Sequence, residues 1–320
     1  MTAPAETPSK PALHRRLPPA TAGHLAMLAF SVLVAGSFSL GAMMARDIDP
    51  LALTTARFFL AMIVIGALAT ATGHLDRCVA RQPWRHLILG GLFALYFVLM
   101  FEALKTASAV STSAIFTLTP LLAAGFGWLI LRQVATRRIL AALAVGAFGA
   151  LWVIFRGDPR LAMEFRVGEG EAIYLLGSLF HALYIPLVSR LNRGESALAG
   201  TFAMLIGGTL VLAVLGGRSV LATDWSALAP LVWITLAYLT LASGAGTFLL
   251  LQFASMRLTA SRVMAYTYLT PCWVIVWELA LGNGAPPLIV LGGIGLCCVA
   301  LYMLLRSDPA VRDGAAPPSV

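Results

Sequence analysis

Charge is what this sequence has least of. Asp, Glu, Lys and Arg together make up 11% of its 320 residues, less than half of the roughly 25% usual in soluble domains. So few charges cannot cover a water-facing surface, which excludes a conventional soluble fold. The four cysteines and five histidines have no zinc-ligand spacing. Neither a His-Glu-x-x-His pair nor a phosphate-binding glycine loop occurs, which argues against an intramembrane metalloprotease and an ATP-driven pump. Ser178 and His181 stand one helical turn apart, but no oxyanion arrangement accompanies them, which disfavours a serine hydrolase. A membrane transferase would usually need an acidic metal-binding cluster, and that is missing too. The chain reads as non-enzymatic, with no cofactor and no metal. Cys78 falls in a connection, and Cys272, Cys297 and Cys298 fall in apolar stretches. Cys297 and Cys298 point about 100° apart on a helix, which suits packing better than a disulfide.

Apolar sequence fills the space that charge leaves. Hydrophobic residues make up 59% of the chain, and the mean hydropathy is +0.87. Ten stretches reach the roughly 17 to 25 residues needed to cross hydrocarbon. They are 22–44, 50–72, 87–104, 109–131, 139–155, 172–189, 198–216, 228–251, 263–281 and 286–305. This predicts an all-α polytopic membrane protein with ten transmembrane helices. Residues 1–21 and 306–320 are polar or Ala/Pro-rich tails, expected to be disordered because they bury too little apolar surface to order themselves. The first apolar stretch is full-length and lacks a processing site, so it is expected to be retained as a span.

The basic residues give the orientation. One set of connections and termini carries 15 of them, from Lys10, Arg15 and Arg16 through Arg132, Arg137 and Arg138 to Arg306 and Arg312. The alternate set carries 6, including Arg46, Lys105, Arg156 and Arg218. Such an excess marks the cytoplasmic face, so both termini are expected in the cytoplasm of a cell with the protein in its inner membrane. The net charge of +8 and the isoelectric point near 9.8 follow the membrane sides, and no nucleic-acid partner is expected.

Leu-Thr-Pro occurs twice, at Leu118-Thr119-Pro120 and Leu269-Thr270-Pro271, 151 residues apart and each inside an apolar stretch. The polar connection 156–171 divides the ten stretches into five and five, giving repeats at 22–155 and 172–305. Five is odd, so the second copy is expected to enter the membrane from the opposite side, as two inverted five-helix repeats. A proline within a span deprives the carbonyl four residues earlier of its donor, here Phe116 and Thr267. Paired interruptions of this kind point to a transporter's central site; the competing reading is two structural kinks.

The chain resembles the drug/metabolite transporter superfamily, EamA type. The resemblance rests on Gly36-Ser37, on Asp49-Pro50-Leu51 with Ala56-Arg57-Phe58-Phe59-Leu60, and on Glu102-Ala103-Leu104 leading through Ala107-Ser108-Ala109 to Thr119-Pro120. In the second half it rests on Gln252-Phe253-Ala254, Leu258-Thr259-Ala260-Ser261 and Tyr268-Leu269-Thr270-Pro271. It implies two five-helix repeats and export of a small organic solute. Where family members often carry a glycine-glutamate pair after each proline, this chain has Arg132-Gln133 and Asn283-Gly284.

Candidate substrate-binding groups are Ser37, Thr117, Thr119, Pro120, His181, Tyr266, Thr267, Thr270 and Pro271. Helical stripes of this kind serve interhelical packing more often than ligand binding. Arg57, Glu102 and Glu278 are ionisable groups inside spans, where burial is costly; Arg57 and Glu102 are expected to pair. His181 is more often a packing group than a proton carrier, though its chemistry suits proton exchange. Gly207-Gly208, Gly216-Gly217 and Gly292-Gly293 are expected to permit close helix contact or to mark span ends. The sequence reads as a transporter of small organic metabolites or drug-like solutes, its partners being the solute and the bilayer, with coupling open between facilitated diffusion and proton exchange. An intramembrane enzyme acting on a lipid-linked substrate and a non-transporting scaffold are the alternatives.

Overall fold

The computed structural model describes residues 18–73, 82–158, 160, 167–258 and 260–306. The expectations for Cys78, for residues 1–17 and for the tail from 307 lie outside the described residues. Among the described residues there are ten helices long and apolar enough to span a bilayer and no strand. The spans are Pro19–Met44, Pro50–Ala71, Pro83–Ala103, Ala109–Leu131, Arg137–Ile154, Glu169–Leu191, Ala197–Ala222, Pro230–Ser255, Arg262–Ala280 and Leu288–Arg306.

Local chemistry sets the helix starts. Four spans open on proline, which suits a first turn because its missing N–H has no intrahelical use there. Asp49 caps the second span by accepting from the Leu51 and Ala52 N–H groups at 3.0 and 3.1 Å. Ser108 caps the fourth span, through the Ser111 N–H at 3.1 Å, and Ser196 the seventh, through Ala199 at 3.2 Å. Each satisfies donors that the helix itself leaves orphaned. The seventh helix runs six residues beyond the expected end at 216, closing only where the Thr223 hydroxyl donates back to Ser219.

Three spans are interrupted. The fourth consists of Ala109–Phe116 and Thr119–Leu131, with Thr117 and Leu118 donating to carbonyls three residues back. The ninth contains a 3-10 turn, Tyr266–Leu269, before Thr270–Ala280. Pro120 and Pro271 therefore stand in the first turn of a new helix instead of bending a continuous one. The Thr267 carbonyl is not left free as expected: it accepts the Thr270 N–H, because the tighter 3-10 pitch supplies a donor three residues on. The eighth span is widened by a π-helical turn, Leu241–Gly246.

The first span packs on the eighth and ninth, and the sixth packs on the third and fourth. The second lies on the seventh and the fifth on the tenth, while the third meets the seventh and the second meets the eighth. Exchanging each span with the one five places later maps these neighbours onto one another. Gly90 of the third span faces Gly207 and Gly208 of the seventh, and Gly149 of the fifth faces Gly293 of the tenth, so that backbones touch backbones. Large side chains such as Phe59, Trp128, Val214 and Leu288 are exposed on outer helix faces, as hydrocarbon surroundings permit.

Candidate functional site

A cavity of about 530 Å3 lies between eight of the ten spans, with no lining residue from the fifth or tenth. It reaches the surface at Asn192 and Ala197, both exposed, near Arg85 and Glu195. At the other end it is closed by Phe38 and Met100, each 1% exposed. Behind them Phe101 and Tyr174 are fully buried.

The inner end is a box of aromatic rings. Phe93, Tyr96 and Phe97 follow one another on one face of the third span, with Phe97 4.9 Å from Phe93 and 4.6 Å from Tyr96 between centroids. His181 of the sixth span stacks on Tyr96 at 4.5 Å and on Phe116 of the fourth span at 5.7 Å, nearly parallel. The Tyr96 hydroxyl meets that of Tyr174 at 3.1 Å. His181 Nδ1 is buried and has no hydrogen-bond partner among the described residues.

Among the described residues, one full charge stands in this box. The Arg57 guanidinium lies 3.8 Å above the centre of the Phe97 ring, and the residue is 4% exposed. Its Nη1 has no partner among the described residues. The expected pair with Glu102 does not form. Glu102 instead accepts from Lys105 at 2.8 Å, and its side chain is 43% exposed. A carboxylate at a span end is solvated by water and a near neighbour, whereas Arg57 is turned inward onto a ring whose negative face attracts a cation.

The first span reaches the site through contacts with the second half of the chain. Tyr238 donates to the Leu33 carbonyl at 2.8 Å and Trp277 to the Val32 carbonyl at 3.1 Å. A Cβ at Gly36 would lie 2.2 Å from the Tyr238 oxygen, so glycine there is what admits the tyrosine. One residue on, the Ser37 hydroxyl bonds that of Ser243, which sits in the π-helical turn.

Of the residues expected to bind substrate, Ser37, His181 and Thr267 line the cavity together with Arg57. Thr117, Thr119, Pro120, Tyr266, Thr270 and Pro271 are not among its lining residues, nor are Glu102 and Glu278. Thr117 donates back to the Ala114 carbonyl at 2.7 Å, and Tyr266 meets His24 Nδ1 at 2.9 Å. The hydroxyls of Thr119 and Thr270 are buried without partners among the described residues. Glu278 accepts from Asn283 at 3.1 Å. Sequence reasoning passes over Phe93, Tyr96, Phe97 and Tyr184, and singles out Phe116 for its carbonyl and not for its ring. The three-and-four spacing of Phe93, Tyr96 and Phe97 is the available signal, but it does not distinguish a ligand box from ordinary packing.

Ten apolar helices, eight of them around an internal cavity that is closed at one end, make up the fold of a polytopic membrane protein. The chain belongs to the EamA-like transporter family, which matches twice, over residues 21–155 and 169–306. It is therefore a membrane transporter of the drug/metabolite type. It is 24% identical over 287 residues to the uncharacterized transporter YyaM of Bacillus subtilis (strain 168), covering 89% of this chain and 93% of the relative. A solved crystal structure of a protein superposes with a TM-score of 0.63 at 19% identity, over 89% of this chain and 95% of that one. At that identity the likeness is one of fold.

Proposed function

We propose that the protein exports small organic metabolites or drug-like solutes by alternating access, and that its cavity here faces the cytoplasm. The observation that carries this reading is the cavity's asymmetry: sealed by aromatic and aliphatic side chains at one end, it reaches the surface beside the 192–196 connection. That connection belongs to the basic-rich side of the sequence, the side expected in the cytoplasm. A carrier waiting in this state loads from inside the cell. The two family matches each hold five spans. The odd number and the exchange of neighbours between halves support an inverted relation, in which rocking one repeat against the other would open the opposite end.

Flux of a labelled solute through purified protein in liposomes tests carriage, and product analysis of the recovered solute separates it from an enzyme acting on lipid-linked substrates. Reporter fusions after Arg138 and at the C-terminus are expected to read cytoplasmic in the inner membrane, and a fusion near Arg160 external. An external C-terminus would overturn the orientation and the export direction argued from it.

In this reading the interruptions at Thr119-Pro120 and Thr270-Pro271 are hinges. Replacing either proline by alanine restores a backbone donor and favours a continuous helix across the break, at position 271 by drawing the Thr267 carbonyl from the Thr270 N–H into an α-helical bond. One added hydrogen bond is worth about 1 kcal/mol net, enough to shift a two-state equilibrium roughly fivefold. Pro120→Ala and Pro271→Ala are expected to fold and to bind solute normally but to turn over several-fold more slowly. Wild-type turnover from both variants would sink the hinge role, and a loss of affinity instead would mean that these residues touch the solute.

A further inference from the structure

Arg57 is a cation in search of a counter-charge. It is almost wholly buried, its Nη1 is unpartnered among the described residues, and no described residue forms an ion pair or hydrogen bond with it. The cavity it lines contains one acidic side chain among the described residues, Glu195 at the mouth. Glu195 is already held by Arg85 at 2.7 Å. Holding a guanidinium in a low-dielectric site without an anion is costly, and a cation-π contact with Phe97 offsets only part of that cost. The aromatic rings around it supply apolar surface but no second charge.

We propose that Arg57 is the anion subsite of the carrier, and that its substrates are amphipathic organic anions. A carboxylate would lie on the guanidinium, in a two-point fork that suits its planar geometry. The apolar body would lie among Phe93, Tyr96, Phe116 and Tyr184. Because the inner end holds no carboxylate among the described residues, an ammonium group on the same ligand would be buried without a counter-charge, so cations and zwitterions are disfavoured. This rests on the carrier reading above.

Four probes with one skeleton test it: 3-phenylpropionate, its neutral amide, the zwitterion phenylalanine and the cation phenethylamine. Equilibrium binding to full-length purified protein is expected to favour 3-phenylpropionate over the other three by about 10- to 100-fold, the range for hydrogen bonds to a charged group. Arg57→Gln is expected to bring the carboxylate down to the affinity of the amide while leaving the amide unchanged. Arg57→Lys, which keeps the charge should the glutamine variant fold poorly, is expected to retain part of the preference. Equal binding of carboxylate and amide, preference for phenethylamine or phenylalanine, absence of saturable carboxylate binding, or equal losses for carboxylate and amide in Arg57→Gln would each overturn the subsite. Liposome flux of the same probes separates the two claims. Selective binding without flux removes the carrier and keeps the subsite; flux without charge preference does the reverse.

Discussion

Gly90→Ala is expected to prevent accumulation of folded protein, whereas Gly217→Ala and Gly125→Ala are expected to be harmless. A Cβ at Gly90 would lie 2.2 Å from the Gly208 nitrogen and 2.3 Å from the Met204 carbonyl oxygen. A Cβ at Gly207 would lie 2.2 Å from the His86 carbonyl oxygen. These are backbone atoms of the facing helix, so no rotamer change relieves the clash, and the third and seventh spans must part. In lipid no hydrophobic force pulls helices together; packing contacts do, and small residues allow them. Overpacking costs about 1–3 kcal/mol, and occasionally more. Separation here would also spread the wall that Leu89, Met204 and Leu205 give the cavity. No described residue lies within 4 Å of a Cβ at Gly217 or Gly125, so those substitutions gain helix propensity at no steric cost. Size-exclusion profiles and thermal melting in detergent read the difference; an unchanged melt for Gly90→Ala would refute the contact.

The same crossing marks how far the sequence can be read. Gly207-Gly208 is visible as a close-contact signal, but its partner Gly90 is not, since sequence carries no information on which helix faces which. The ten spans are legible because hydropathy over some twenty residues is a strong signal, reinforced by prolines at helix starts. The π-helical turn is not: Ser243-Gly244-Ala245-Gly246 advertises small residues, and an extra residue per turn leaves no mark in composition. Arg57 stands out as a charge in a span, yet a pairing with Glu102 follows from shared depth alone. Depth is given by position along the helix, whereas direction around it depends on packing. That packing turns Arg57 inward to Phe97 and leaves Glu102 to Lys105. Likewise the two Leu-Thr-Pro motifs announce interruptions correctly, but not that Thr119, Pro120, Thr270 and Pro271 lie off the cavity wall. The aromatic box is hidden in plain view among sixteen phenylalanines and seven tyrosines, most of which any membrane bundle would use for packing.

Arg85→Met and Glu195→Gln are each expected to lower the melting temperature sharply, and combining Arg85→Met with Glu195→Leu is expected to recover part of the loss. The pair sits at the cavity mouth with an Nη2–Oε1 distance of 2.7 Å and side-chain exposures of 2% and 5%. Removing one partner of such a buried pair leaves the other charge uncompensated, at a cost of about 3–5 kcal/mol, while replacing both by apolar groups removes the buried charges altogether. Recovery is incomplete because each partner also makes a second contact. Arg85 donates to the Leu191 carbonyl at 2.5 Å, and Glu195 accepts the Arg193 N–H at 2.8 Å. The acid dependence follows from the same contacts. Burial pushes the Glu195 carboxyl up, but the Arg193 N–H and the Arg85 guanidinium outweigh it and hold the group below its ordinary value of 4.5. A carboxyl lowered on folding contributes stability in full above its unfolded value and loses it as the pH falls through its folded one. The melting difference between wild type and Glu195→Gln should therefore be constant near neutrality and shrink as the pH drops below 4.5. A gap that widened in acid, or a double variant no more stable than Arg85→Met alone, would mean that these residues stabilise the mouth separately and not as a pair.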